Sequence, residues 1–310
     1  MDLKNKYEVI IIGGSYAGLA AAMALGRALR NVLIIDSGTP CNRQTPQSHN
    51  FLTQDGIPPH QIAAIAKQQV LNYSTVNFVN DIAIQGVRTA IGFEIHTKNS
   101  GIFLSDKIIF ASGISDIMPA IEGFAECWGI SVLHCPYCHG YEVRNMPTGI
   151  LGNGDAGFEM AKMIYNWTKE IVLFTNGIAA FTKEQIDILQ SRQIKIEERS
   201  ILKIEHTKGV IENIVFKDGV RASIKALYAR LPFVQHSDIP TQLGCAFTEE
   251  GYIYADTMQK TNIYGVFVCG DNSSKIRTVA NAVSSGTTAA IMLNKELIDE
   301  SFNLSFDKTI

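Results

Sequence analysis

Glu8-Val9-Ile10-Ile11-Ile12-Gly13-Gly14-Ser15-Tyr16-Ala17-Gly18 is an apolar run broken by a glycine turn. An alanine-rich stretch follows to Arg30, and Val32-Leu33-Ile34-Ile35-Asp36 closes the unit. The order reads strand, tight turn, helix, strand. Glycines at such a turn let backbone N–H groups approach a pyrophosphate at the helix N-terminus. Ser15 stands where the second glycine of the dinucleotide fingerprint belongs; it permits fairly close approach and adds a hydroxyl donor. Asp36 ends the second strand, where a carboxylate accepts from ribose hydroxyls. The competing reading is a turn that merely lets a helix pack on a strand. The strand, the helix and Asp36 together favour nucleotide binding.

The pattern recurs. Thr148-Gly149-Ile150-Leu151 leads into Gly152-Asn153-Gly154-Asp155-Ala156-Gly157, a helical stretch to about Thr168, and Ile171-Val172-Leu173-Phe174-Thr175. Gly13 and Asp36 are 23 positions apart, as are Gly152 and Thr175. Two equal units predict an α/β fold with two Rossmann-like nucleotide-binding domains. All three glycines, Gly152, Gly154 and Gly157, are present in the second turn, yet Thr175 occupies the place of the ribose-reading acid. Residues 174–184 offer only Lys183 against a 2′-phosphate. Either NADH or NADPH binds here weakly, or the site is vestigial.

Around these units, residues 40–60 read as a loop over a bound group and Gln61–Leu71 as a helix. Residues 76–110 and 194–234 read as strands. Ile108–Gly113 and Tyr264–Asp271 are apolar strands ending at glycine, and a small-residue helix is predicted over about Val279–Leu297.

His134-Cys135-Pro136-Tyr137-Cys138-His139 lies between the two units. A Cys-x-x-Cys pair closes a small disulfide ring, and one thiolate can be stabilised by local positive charge. His139 is placed to move the proton that thiol chemistry requires; His134 reads as structural. Zinc is the rival reading, but four ligands within six residues wrap a tetrahedral ion poorly. Inert core cysteines are the other rival. A redox dithiol beside a dinucleotide site implies a flavin, which takes the two electrons and passes them on.

Composition is consistent with this. The 310 residues carry a net charge of -3, with 46% hydrophobic and 18% charged residues, enough for a large core. No basic stripe suggests nucleic acid. No apolar run approaches the roughly 20 residues needed to span a bilayer. Met1–Lys6 run into the strand from Tyr7 with no secretory pattern. The other four cysteines, Cys41, Cys127, Cys245 and Cys269, lie in unrelated contexts and read as reduced thiols, so a cytoplasmic setting is expected.

In the order first glycine turn, Ala111-Ser112-Gly113, Cys135-x-x-Cys138, second glycine turn, then Gly270-Asp271 and a helix, the chain resembles the low-molecular-weight thioredoxin reductases over nearly its whole length. The resemblance implies an FAD domain built from both chain ends, 1–115 and 237–310, with an NAD(P)-binding-like domain, 116–236, carrying the cysteines. It implies FAD held by Gly13, Ser15, Ala17, Gly18 and Asp36, with Ser112 and Gly113 beside the isoalloxazine, Gly270 and Asp271 at the ribityl chain, and Ala282 at the helix start under the flavin. Cys138 matches the cysteine facing the flavin, and Cys135 the one exchanging with substrate. A homodimer is also implied.

Three features depart from the usual pattern. His139 replaces an aspartate, the basic cluster after Phe174 is absent, and the flavin-side loop Arg43…His49-Asn50-Phe51 differs. All three are similar to the dithiol oxidase branch that makes disulfides in gliotoxin and holomycin biosynthesis with oxygen as acceptor. The first expected function is thus a flavin-dependent thiol–disulfide oxidoreductase linking a nicotinamide cofactor to a small disulfide or a thioredoxin-like protein. The second is an oxygen-dependent oxidase of a small dithiol, and the third a redox sensor without turnover, against which the intact cysteine pair argues.

Overall fold

The computed structural model describes residues 5–304, so the leading residues 1–4 and the last six lie outside the described chain. In the first unit the chain forms β1 (Lys6–Ile12), α1 (Tyr16–Arg27), β2 (Val32–Asp36), α2 (Pro59–Leu71), β3 (Val76–Asn80), β4 (Ala83–Thr89), β5 (Gly92–Thr97) and β6 (Ile102–Phe110). The sheet order is β3-β2-β1-β6-β5-β4. β1 runs parallel between β2 and β6, pairing Ile12 with both Ile35 and Phe110. A central parallel strand is covered on both faces, which accounts for the unbroken apolar run Val9–Ile12. Alternate side chains serve the two faces. Val9, Ile11, Ile34 and Ile109 join the core with Leu19, Ala21 and Leu293, whereas Ile10, Ile12, Leu33 and Phe110 pack with Phe93, Ile95 and Ile239.

The second unit contains β7 (Ile114–Asp116), α3 (Phe124–Cys127), β8 (Val132–Leu133), α4 (Pro136–His139), β9 (Thr148–Leu151), α5 (Gly154–Ile164), β10 (Ile171–Phe174), α6 (Lys183–Ser191), β11 (Lys195–Glu197), β12 (Ile201–Thr207), β13 (Val210–Phe216), β14 (Arg221–Ser223), β15 (Ala226–Ala229) and β16 (Phe233–Gln235). Its main sheet, β11-β10-β9-β15-β8, is parallel, and β12-β13-β14 form an antiparallel sheet beside it. The outgoing strand β7 and the returning strand β16 pair antiparallel, Ile114 with Gln235 and Asp116 with Phe233. The chain then forms α7 (Ile239–Gln242), β17 (Val266–Val268) and α8 (Val279–Leu304). β17 adds to the end of β6 beyond the stretch occupied by β5, so the last strand of the chain completes the first sheet.

Three helix ends differ from the sequence expectation. α1 stops at Arg27, not Arg30. Leu29 takes φ 62°, and the Arg30 and Leu29 N–H groups reach the Leu25 and Gly26 carbonyls at 3.0 Å each. This is a Schellman ending with leucine in the place glycine usually marks, and Arg30 is drawn away by Glu8 at 2.7 Å and Asn294 at 2.6 Å. α5 stops at Ile164, four residues before Thr168, whose hydroxyl donates to the Met146 carbonyl at 2.9 Å. α8 runs seven residues beyond Leu297, because Glu296 and Glu300 bind the buried Lys107 of β6 and dock its last turns on the sheet.

Candidate active site

The first turn, the loop between β2 and α2, the end of β6 and the start of α8 converge on one pocket. Ser15, Ala17, Pro40, Cys41, Asn42, Ala111, Ser112, Gly113, Gly270, Asp271 and Ala282 line it, with His49, His134, Cys138, His139, His236 and Arg277 toward the second unit. Gly13 has φ +108°, and a side chain there would collide with the Ala111 carbonyl. The turn thus requires glycine. Gly18 sits in the first turn of α1 over the Gly13 carbonyl. Asp36 Oδ1 accepts from the Gly14 N–H at 2.9 Å, which fixes the carboxylate at the turn. Ser15 caps α1 in extended conformation without a side-chain capping bond, so its hydroxyl is not committed to the helix.

The loop predicted over residues 40–60 is present. Asn42 donates to the Tyr16 hydroxyl at 3.3 Å, and that hydroxyl donates to the Pro59 carbonyl at 3.0 Å. His49 enters the pocket, but Arg43 is exposed and its guanidinium reaches the Pro40 carbonyl at 3.3 Å. Gly152, Gly154 and Gly157 lie apart, in the second unit.

Cys135 and Cys138 form a disulfide with Cα atoms 5.3 Å apart. Pro136 opens the short helix α4 with Cys135 as its cap, and the Cys138 N–H points at Cys135 Sγ at 3.2 Å. That N–H is a donor for a Cys135 thiolate once the pair is reduced. Cys138 is the member that lines the pocket. His139 lies beside it; burial holds its pKa below the usual histidine value, with Glu142 opposing and His49 reinforcing the shift. A neutral imidazole at neutral pH is a proton acceptor. His134 is more extreme. Burial, then Arg277, brings it down to about 4, its Nε2 has no partner, and its ring lies 6.0 Å from that of Trp128.

Several side chains that no local motif marks also meet here. Arg277 makes two parallel bonds of 2.8 Å to Asp116, and its Nε lies 3.7 Å from Asp271. Burial works against the Arg277 charge, but the two carboxylates outweigh it and raise its pKa. Burial also raises Asp271, with Arg277 opposing. Cys41 Sγ lies 3.8 Å from Asp271. Cys41 is exposed as a residue, yet its sulfur points into the pocket toward Asp271, where the charges of Arg277 and Asp116 also reach it. The immediate surroundings of the sulfur govern its titration: burial, then Asp271, pushes the thiol up to about 12, so it stays protonated.

The pocket fits FAD. It offers a glycine turn at the N-terminus of α1 with the Asp36 carboxylate held at that turn, a carboxylate at Asp271, and the buried, unpartnered Ser112 hydroxyl. Fold and site together define a flavin-dependent thiol–disulfide oxidoreductase, an enzyme acting on sulfur groups.

The chain belongs to the pyridine nucleotide-disulphide oxidoreductase family, whose model matches residues 7–286. It is similar to thioredoxin reductase tcpT of Claviceps purpurea, 29% identical over 96% of each chain. It is also similar to an oxidoreductase from Agrobacterium tumefaciens, 34% identical with TM-score 0.88 over 94% of this chain and 99% of that one. The structure of HlmI is similar too, 26% identical with TM-score 0.91 over 99% and 98%. Members of the family use FAD, the group that the pocket here fits. No helix among the described residues is long and apolar enough to cross a membrane.

Proposed function

We propose that this chain works as a dithiol oxidase, drawing electrons from a small dithiol through Cys135 and Cys138 to FAD and on to oxygen. The observation that carries this reading is the state of the second glycine turn. Asn153 Oδ1 accepts from the Gly154 and Ala180 N–H groups at 2.8 Å each, and its amide donates to the Ile178 carbonyl at 2.8 Å. Glu198 accepts from the Ala179 N–H at 2.6 Å. One donor of the turn, the Gly154 N–H, is thus engaged by the protein's own side chain, and Asp155 places a negative charge in the first turn of α5. Thr175 is buried and donates to the Gly177 carbonyl at 2.6 Å, so it reads no ribose. Arg199, brought toward this edge by β11, has its guanidinium on Glu197 at 2.8 Å. This arrangement fits a nicotinamide dinucleotide poorly.

In this mechanism one substrate thiolate attacks Cys135, forming a mixed disulfide and releasing Cys138 as a thiolate in the pocket. The second substrate thiol then attacks the substrate sulfur of that mixed disulfide, so the substrate leaves as a disulfide and Cys135 as a thiol. His139 is placed to take the proton that the Cys135 thiol gives up when the reduced pair returns to the disulfide. FAD, when bound, supplies the two-electron acceptor for the reduced pair. The site residues carried by the resemblance keep their roles here, with Cys138 toward the flavin, Cys135 toward substrate, and Gly13, Ser15, Ala17, Gly18, Asp36, Ser112, Gly113, Gly270, Asp271 and Ala282 on FAD. The β7–β16 pair supports a domain division near residues 115 and 237. Four unpaired cysteines support a reducing, cytoplasmic setting, and exposed Ile291 and Ile298 on α8 support a homodimer.

The test is aerobic turnover of a dithiol with hydrogen peroxide measured as product. Peroxide in step with disulfide supports the oxidase. Efficient NADPH-driven reduction of a disulfide would establish the reductase reading instead.

A further inference from the structure

We propose that Glu142, whose carboxylate lies 3.6 Å from His49 Nε2 and three residues beyond His139, is a positioning residue that sets the proton chemistry of the disulfide and connects it to solvent.

Two separate segments meet at this carboxylate. His49 comes from the loop between β2 and α2, where the Ser48–Ile57 bridge and the Asn50 N–H bond to Asp55 at 2.8 Å shape the backbone. Its Nδ1 lies 3.5 Å from Asp55, and its Nε2 faces Glu142. Glu142 follows directly on α4, so one carboxylate ties the flavin-side loop to the segment bearing the disulfide. His49 and His139 both line the pocket that Cys138 enters. The His49 side chain is 16% exposed, whereas Glu142 and Asp55 are 38% and 67% exposed. Acidic groups open to water therefore stand behind an enclosed imidazole.

The chemistry needs such a connection. Converting two thiols to a disulfide releases two electrons and two protons, and a proton taken by His139 must leave before the next cycle. The charged and titratable groups around His139 are few. Glu142 favours its protonated form, and His49 opposes it. His134 stands on the other side under the influence of Arg277 and Asp116. Tyr228 of β15 lies within reach of the Glu142 charge, and its hydroxyl has no partner and is held protonated by burial and by that carboxylate. Glu142 is thus the anion that keeps His139 basic enough to accept a proton against its burial.

The inference rests on the disulfide chemistry and holds for either direction of exchange. Its failure would therefore leave the oxidase reading standing, and the reverse is also true. The test uses full-length, FAD-loaded protein at matched flavin content, with Glu142→Gln, Glu142→Asp and His49→Gln. Flavin bleaching by dithiothreitol is followed anaerobically between pH 5.5 and 9. Glu142→Gln should slow bleaching about twofold to threefold at pH 7 and move the rising limb of the pH profile down by about half a unit, since the weakened base is less reactive once deprotonated. Glu142→Asp should recover most of the rate and the limb. His49→Gln should slow bleaching with the limb shifted upward. An unchanged rate and limb in Glu142→Gln would overturn the proposal. So would a slower rate with an unmoved limb and no recovery in Glu142→Asp, which is the behaviour of a residue that only packs.

Discussion

Arg277→Gln removes the cation between two enclosed carboxylates. The side chains of Arg277, Asp116 and Asp271 are 14%, 5% and 17% exposed. Deleting one partner of such a buried pair costs about 3–5 kcal/mol, because the remaining charge is left uncompensated. An unfolding entropy of about 2.1 cal/mol/K per residue then lowers the melting temperature of this chain by roughly 5–8 °C if it unfolds as one unit. The loss should depend on pH in a definite direction. Burial already raises the Asp271 carboxyl and Arg277 restrains it. A group whose folded pKa lies above its unfolded value contributes stability below the unfolded pKa and loses it as pH rises through the folded one. Without Arg277 the folded value rises further, so the penalty is larger at pH 7.5 than at pH 5. The assay is thermal unfolding at both pH values, with flavin retention measured in parallel, because Asp271 faces the proposed ribityl position. Arg277→Lys should fall between, keeping charge but losing the two-pronged geometry. No change in melting temperature, or a deficit that grows on acidification, would refute this account of the cluster.

Cys135→Ser and Cys138→Ser should each abolish dithiol turnover with FAD still bound, since exchange needs both an attacking and a resolving sulfur; full activity in either would remove the pair from the mechanism. Their spectra should differ, because only the thiolate left in Cys135→Ser stands in the flavin pocket; a long-wavelength band in reduced Cys138→Ser alone would reverse the two roles. His139→Gln should slow flavin reduction about 10²–10⁴-fold. The wild-type rate should rise with pH through a value below that of ordinary histidine, the direction burial gives His139, and the variant profile should be flat there. A wild-type rate and profile in the variant would assign the proton to water.

The parts legible in the sequence were those that local spacing encodes. The run Glu8–Gly18 specified a buried strand, a glycine turn and a helix because each feature depends on neighbours within a few residues. Cys135 and Cys138 were legible for the same reason. Helix ends were less so: Leu29 adopts the left-handed conformation that glycine would have announced, and α8 is prolonged by Glu296 and Glu300 reaching Lys107 across more than 180 positions of chain. The electrostatic part of the site was hidden altogether. Arg277 meets Asp116 over a separation of 161 residues, and nothing around either position marks the pair. Cys41 reads as an ordinary thiol until the loop places it 3.8 Å from Asp271. Thr175 and the missing cations are the local reason to expect a weak second nucleotide site, whereas the bonds of Asn153 and Glu198 to the Ala180 and Ala179 N–H groups depend on how the loop at 176–181 folds back.

The most direct test of the central claim is anaerobic stopped-flow mixing of the oxidised, FAD-loaded protein with a dithiol, with NADH and with NADPH, read at the flavin absorbance. The oxidase account predicts rapid bleaching by the dithiol, loss of that bleaching in Cys138→Ser, and little bleaching by either nicotinamide. Rapid bleaching by NADPH at micromolar concentration, with the dithiol inert, would contradict it.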